Sequence, residues 1–331
     1  VKNGSVKGGI NILGLVGLAA AALLLNRYGM ADIAVGAAAV GWGLAAVVVL
    51  RVLPIGCDAL GWHVLFTPGR RPPMGTTLWV RWVSESVNAL MPVAQIGGEF
   101  VRAHLISRPA VVPHPVIAGS EAGATVIVDL TTGLVSTAVF STTGLILLLG
   151  RDGAGGLQGG VWWALAGLGA MIAAFVLAQR SGLLTRAVHW MAGRFTGDKA
   201  ASFAQGAEAL DSHMARIWRD RPAVAVSTFW RTASWFTSVA EIWVTLEFLG
   251  TPIAIADAVM IEALTQAARS AAFAVPGGLG VQEGSLLLLG DLVGLAPQSA
   301  LALALVKRVR EILTGVPALA LWWWVAAREP A

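Results

Sequence analysis

The stretch Pro276-Gly277-Gly278-Leu279-Gly280-Val281-Gln282-Glu283-Gly284 decides how this chain is read. It places a proline, four glycines and a carboxylate inside an apolar run from Ala254 to Leu295. In a polar chain such a stretch is a surface loop. Here it reads as a break between two half-helices at membrane depth. Irregular backbone persists there only when it is buried in protein or lines a watery cavity. Ionisable residues at such a break are candidates for function.

Composition supports that reading. Of 331 residues, 56% are apolar and 13% charged, and the mean hydropathy is +0.72. A soluble domain carries about 25% charge. Several apolar runs reach the roughly 20 residues that cross the hydrocarbon core as a helix. The expected class is therefore all-α: a polytopic membrane protein with about eight transmembrane elements, two pairs of them interrupted or re-entrant. A transmembrane barrel would show alternating segments of about ten residues, and the sequence has none. The lone Cys57 excludes a disulfide framework within the chain. The net charge of +4 does not point to nucleic acid, because the basic residues lie between spans, where the positive-inside bias accounts for them.

In chain order, Gly9 to Leu25 and Ile33 to Leu53 are the first expected spans. Lys2 and Lys7 precede them and Arg70-Arg71 follow. Lys/Arg bias puts the N-terminus, the Arg70-Arg71 loop and the interval from Arg180 to Arg221 in the cytoplasm. That interval holds seven Lys/Arg against four acids and is expected to contain one amphipathic helix. Cys57 is expected on the cytoplasmic side, just past the second span. Thr76 to Met91 is too short to cross alone and ends at Pro92. A second short helix is expected from Glu99 to Ile106. Each charge at a helix centre in lipid costs about 2.5–3.5 kcal/mol, so Arg81, Glu85, Glu99, Arg102 and His104 must face a cavity or one another. His114 to Leu149 is either one strongly tilted helix or two elements. Val161 to Ala178, Ala223 to Leu249 and Ile255 to Val275 follow as spans. A short Ser285 to Leu295 piece comes next. The last span is Ile312 to Ala326, flanked by Lys307, Arg308 and Arg310 and ending in the Trp322-Trp323-Trp324 interfacial cluster.

The two irregular regions share a pattern. Pro92 is followed seven residues later by Glu99, and Pro276 seven later by Glu283. Ser86 and Ser270 stand six residues before the prolines, preceded by Glu85 and Arg269. Asp129-Leu-Thr-Thr-Gly133 resembles Glu311-Ile-Leu-Thr-Gly315. Paired interrupted segments point to a transporter-like site between repeats, roughly 76–150 and 255–331. Parallel and inverted repeats are both compatible with this.

Gly277, Gly278 and Gly280 would form a nest of backbone N–H groups ahead of the Val281 helix, suited to an anionic head group. The alternative is close helix packing by small residues. No Walker loop is present, because the Lys-Ser/Thr end is missing. Glu99 and Glu283 would take protons or substrate hydrogen bonds, or else neutralise an arginine such as Arg102 or Arg269. Arg102 lies on the same helix face as Glu99. Arg269 has no obvious local partner, which favours it for lipid phosphate. Asp129, Glu121 and Glu311 read as helix-pairing groups. The five histidines show no metal-binding spacing, so neither metal nor cofactor is expected.

The stretch from Glu85 through Pro92 and Gly97-Gly98-Glu99 to Leu105 resembles the first signature of the flippase-like transmembrane region of lysylphosphatidylglycerol synthases. The stretch from Arg269 to Gly284 resembles its second. The Ser86-Val-Asn88 and Ala272-Phe-Ala-Val-Pro276 wording, with Leu305-Val-Lys-Arg-Val-Arg-Glu311, looks like the hopanoid-biosynthesis-associated branch. The likeness runs from about residue 8 to 328. It implies a bacterial inner-membrane protein that moves or presents a polar lipid, with a hopanoid or a polar phospholipid as cargo and hopanoid-biosynthesis proteins as possible partners. Motif positions carried over are Glu85, Asn88, Pro92, Gln95, Gly97, Gly98, Glu99, Arg269, Pro276, Gly277, Gly278, Gly280, Gln282 and Glu283, and Arg102 joins them as a candidate from its pairing with Glu99. The chain departs from the branch at Phe100-Val101-Arg102, where the branch has a small residue, and at Gly278, where it often has Ala. The stretch after Trp324 is too short for the synthases' aminoacyl-transferase domain, so synthase activity is not expected. Two other readings remain open: an intramembrane transferase using Glu99 or Glu283 as general base, and a scaffold for hopanoid enzymes.

Overall fold

The computed structural model describes residues 38, 40–91, 97–109, 111–112, 115–151, 173, 177, 198–271 and 280–327. Among them the regular structure is helical, with no strand. In chain order the helices are α1 (Gly43–Leu50), α2 (Val52–His63), α3 (Met74–Leu90), α4 (Gly97–Ile106), α5 (Gly119–Leu149), α6 (Asp198–Arg219), α7 (Arg221–Phe248), α8 (Ile255–Ala271), α9 (Val281–Leu292) and α10 (Pro297–Ala327). Among the described residues two helical stretches are long and apolar enough to cross a membrane: Gly43–His63, which joins α1 and α2, and Gly119–Leu149. The expected span Gly9 to Leu25 lies outside the described residues, as do Val161 to Ala178 apart from residues 173 and 177 and the breaks at 92–96 and 272–279.

The second span corrects its expected bounds. It runs ten residues beyond Leu53, because Pro54 does not end the helix. Proline lacks an N–H and fits within the first turn of a helix. It leaves only a local adjustment at Arg51, whose N–H still donates to the Val47 carbonyl at 3.2 Å. Cys57 therefore sits inside the span and not on a cytoplasmic loop. The linker from Thr67 to Gly75, expected as a turn between membrane elements, forms a turn that ends at Pro73. Gly69 adopts a φ of +79° there, and α3 starts at Met74.

Of the two alternatives for His114 to Leu149, the chain takes a single helix from Gly119 to Leu149. Ala118 is extended at its start, and at its end the Gly150 N–H donates to the Ile146 carbonyl. At about 1.5 Å per residue, 31 residues rise well beyond the hydrocarbon thickness. The last helix also starts earlier than expected. Pro297 occupies its first position, where a missing N–H costs nothing. The helix then carries Lys307, Arg308, Arg310 and Glu311 in its interior.

The helix lengths after the Arg70-Arg71 turn are 17, 10 and 31 residues for α3, α4 and α5. After Thr251 they are 17, 12 and 31 for α8, α9 and α10. The two sequence patterns thus lie on helices of nearly equal length in the same order.

The chain divides into two compact units. One comprises residues 1–55, 79–102 and 236–331, the other residues 56–78 and 103–235. In the first, α10 packs against α1 and α9, and α9 packs against α8. Val40, Val47 and Val306 form a buried cluster flanked by Leu44, Val244 and Leu249. Gly43 lets α1 approach the Phe248 ring, where a Cβ would collide.

The second unit is built on α5. The buried stripe Ala207, Met214 and Ile217 turns one face of α6 inward, and Gly123 admits Leu210 of α6 against α5. Across from it, a ladder of hydroxyls joins α5 to α7. Thr132 and Ser227 lie 3.2 Å apart, Ser136 donates to the Thr228 carbonyl at 3.1 Å, and Thr232 donates to Ser136 at 3.1 Å. Small hydroxyl residues allow close helix approach in lipid and satisfy one another there. Arg231 joins Asp58 at 2.7 Å and Asp129 at 3.8 Å. Glu121 accepts from Thr67 at 2.6 Å and faces Arg216 at 3.7 Å. Asp129 and Glu121 thus serve as helix-pairing groups.

Candidate functional site

A single turn of the last helix in the first unit gathers an unusual density of buried charge. On α10, Lys307, Arg308, Arg310 and Glu311 are all buried. Residues three apart share a helix face, so Lys307 and Arg310 look one way and Arg308 and Glu311 another.

The Lys307–Arg310 face meets α7 and α8. Arg310 holds Glu241 through two hydrogen bonds, Nε to Oε1 at 2.9 Å and Nη2 to Oε2 at 3.2 Å. Lys307 donates to Glu262 at 2.9 Å and stands 3.7 Å from Glu241. Ser238 adds a long hydrogen bond to Glu262 at 3.4 Å. Two cations face two carboxylates, and the paired arrangement is what permits their burial.

The Arg308–Glu311 face meets the second interrupted region. Arg308 donates from Nε to Glu283 at 2.9 Å and from Nη1 to Glu311 at 2.9 Å. Arg269, near the end of α8, donates to the Gln282 side-chain oxygen at 2.7 Å and lies 3.8 Å from Glu311. Gly280 opens α9 with a φ of +80°. Its N–H donates to the second oxygen of Glu283 at 2.7 Å. Glu283 thereby bridges the backbone at the start of α9 and the guanidinium of Arg308.

These contacts revise two expectations. Arg269, expected to have no obvious local partner, finds one 13 residues on, Gln282 in the first turn of α9. Glu283 pairs with Arg308 rather than Arg269. The nest expected from Gly277, Gly278 and Gly280 is described only at Gly280, whose N–H is taken up by Glu283. Pro276, Gly277 and Gly278 lie outside the described residues, as do Pro92 and Gln95.

The first interrupted region is built from shorter-range pairs. Glu99 and Arg102 form an ion pair one turn apart on α4. Glu85 pairs with Arg51. The Asn88 side-chain oxygen accepts the Gly98 N–H at 2.8 Å, so α3 caps the start of α4. Gly98 lies so close to α3 that a Cβ would meet the Ser84 carbonyl. Gly98 is therefore a packing glycine, and Gly97 stands beside it as the first residue of α4. Helix α3 reaches the charged helix as well. Trp82 donates to the Thr314 carbonyl at 3.0 Å, and Gly315 receives Leu90 and Ser86. Both contacts lie one turn beyond Glu311, so α10 touches both interrupted regions.

Glu241, Glu262, Lys307, Arg308 and Arg310 escaped the sequence reading. The basic trio reads as a topological flank of a span starting at Ile312. The usable signal was the uninterrupted apolar run from Leu301 to Val306 before it, which makes the charges interior to one helix.

Comparison with known proteins gives one result. Residues 11–318 match the family model described as "Lysylphosphatidylglycerol synthase TM region". No curated protein and no solved structure matches. The match covers most of the chain and both interrupted regions, and it accords with apolar helices long enough to span. This is a membrane protein of a family tied to lipid metabolism: the chain belongs to the lysylphosphatidylglycerol synthase transmembrane-region family.

Proposed function

We propose that this protein translocates or presents a polar lipid across the bacterial inner membrane, without covalent chemistry of its own. The observation that carries the reading is the set Arg269, Gln282, Glu283, Arg308 and Glu311, assembled where α8, the start of α9 and α10 meet. Two guanidiniums and an amide at the end of an interrupted helix suit the oxyanion of a head group. Carboxylates among them keep the site neutral when empty. The near-equal helix lengths of the two interrupted regions support a repeat architecture of the kind that houses substrate between its halves. The branch-like wording around Asn88 and Pro276 favours a hopanoid or hopanoid conjugate as cargo, and the Lys/Arg bias favours a cytoplasmic N-terminus.

The test is reconstitution in vesicles with fluorescent or isotopically labelled lipids, following transfer between leaflets. Arg308→Gln should slow transfer of an anionic lipid while the purified variant remains folded. Transfer at the wild-type rate in a folded Arg308→Gln variant would remove the site from the mechanism. Incubation with donor lipids and mass analysis of the products checks the non-catalytic assignment, since any covalently altered lipid would show a transferase.

A further inference from the structure

Glu283 sits where a bound anion would sit. One of its oxygens takes the Gly280 N–H at 2.7 Å and the other takes Arg308 Nε at 2.9 Å. These are contacts of the kind that phosphate oxygens make with a backbone donor and a guanidinium. The four charged side chains of the set are not equally fixed. Arg308 and Glu311 are 6% and 7% exposed, whereas Arg269 and Glu283 are 21% and 20% exposed. Glu311 is thus the more deeply buried partner of Arg308, and Glu283 the more exposed one. Beside them, Gln282 is 1% exposed. Its oxygen is engaged by Arg269, while its Nε2 is buried with no hydrogen-bond partner among the described residues. Buried donors are normally satisfied, so this one calls for an acceptor.

We propose that Glu283 is an internal competitor for the head-group site: its carboxylate occupies the anion position and is displaced by the phosphate of an anionic lipid. The inference rests on the head-group reading above and adds the regulation of that site. Arg269 and Arg308 balance Glu283 and Glu311, so an incoming phosphate makes the set anionic unless one carboxylate departs. Glu283, the more exposed of the two, turns away toward water. Arg308 Nε and the Gly280 N–H pass to the phosphate, and Gln282 Nε2 supplies a further donor. When the lipid leaves, Glu283 closes the site again. A carrier needs binding weak enough to release its cargo, and a built-in competitor sets that limit.

The test titrates purified protein with short-chain phosphatidylglycerol, with neutral diacylglycerol and with inorganic phosphate, recording thermal stability alongside. Glu283→Gln removes the competing charge, and Glu283→Asp keeps the charge but shortens the reach, so that both partners are no longer spanned. Loss of one competing charge-assisted hydrogen bond should tighten phosphatidylglycerol binding about tenfold in Glu283→Gln. Glu283→Asp should show a smaller gain, and diacylglycerol binding should not change. Transfer between leaflets should slow in Glu283→Gln, because release becomes the harder step. Unchanged or weaker phosphatidylglycerol binding in both folded variants overturns the competitor role and makes Glu283 a direct ligand or a structural partner. A gain for inorganic phosphate alone keeps the competitor and overturns the lipid head-group reading. No preference for phosphatidylglycerol over diacylglycerol, and no phosphate binding, in wild type and variants alike, overturns both.

Discussion

Arg310 and Glu241 form a two-pronged ion pair, 2.9 and 3.2 Å, with both side chains buried. It joins the charged turn of α10 to α7. Two fixed hydrogen bonds hold the guanidinium plane, which an ammonium would not reproduce. Lys307 stands on the same face, with Glu262 as its nearer partner.

Removing one member leaves a buried charge uncompensated, at a cost of about 3–5 kcal/mol. Glu241→Gln and Arg310→Gln are each expected to lower the thermal midpoint sharply. The double variant should recover a large part of the loss, because no lone charge remains. Thermal unfolding of the four proteins in one detergent checks this. Additive losses in the double variant would mean that the pair acts through separate contacts.

Arg269 differs from Arg308 in having an amide as its close partner and a carboxylate only at 3.8 Å. Arg269→Gln should therefore be milder for stability and selective for cargo. We expect weaker binding of phosphate-bearing lipids, by about tenfold for one lost charge-assisted contact, with neutral hopanoids little affected. Parallel titrations of the two lipid classes give the comparison. Equal losses for both would assign Arg269 to architecture.

The topological assignment needs a reporter other than Cys57, which lies inside the Gly43–His63 span. Pro68 is exposed in the turn between α2 and α3. In a Cys57→Ser, Pro68→Cys variant, an impermeant maleimide should label the protein only after cells are permeabilised. Rapid labelling of intact cells would place the Arg70-Arg71 turn outside and reverse the orientation.

Hydropathy made the helices readable because apolar runs state burial in lipid directly. The short segments ending at Met91 and beginning near Glu99 also stood out, since Pro92 and the glycines interrupt the periodicity. Partner choice was the illegible part. Arg308 lies 25 residues from Glu283, and Arg310 lies 69 from Glu241, so the pairs depend on which helix faces meet. Local spacing shows a pair such as Glu99–Arg102, one turn apart, and gives no warning of the longer ones. The start of α10 was misplaced for a related reason. Four charges in five residues look like the end of a span until their partners are known. The glycines were ambiguous because one residue type serves two different ends, and only the surrounding backbone separates them.

Gly98 and Gly280 show that separation and allow it to be tested. Around Gly98 a Cβ would run into the Ser84 carbonyl, which belongs to the backbone and does not swing aside. Around Gly280 a Cβ would meet no described atom within 4 Å, but φ is +80°. Gly98→Ala should therefore force α3 and α4 apart, break the Asn88 cap on α4 and lower stability by about 1–3 kcal/mol, as overpacking does. Gly280→Ala should cost only the strain of left-handed backbone, about 1–2 kcal/mol, with no clash. Any loss of function should follow the α9 N-terminus, because a relaxed φ carries the Gly280 N–H away from Glu283 and from a ligand in its place. Gly280→Val adds β-branching to the same strain and should reduce lipid binding more than Ala substitutions at Leu286 to Leu289 do. Gly280→Asn is the decisive control, since asparagine tolerates positive φ better than alanine or valine. It should restore binding toward wild type if backbone conformation is the cause. Binding lost equally in Gly280→Asn and Gly280→Val would show instead that the space over Gly280 is itself filled by the ligand.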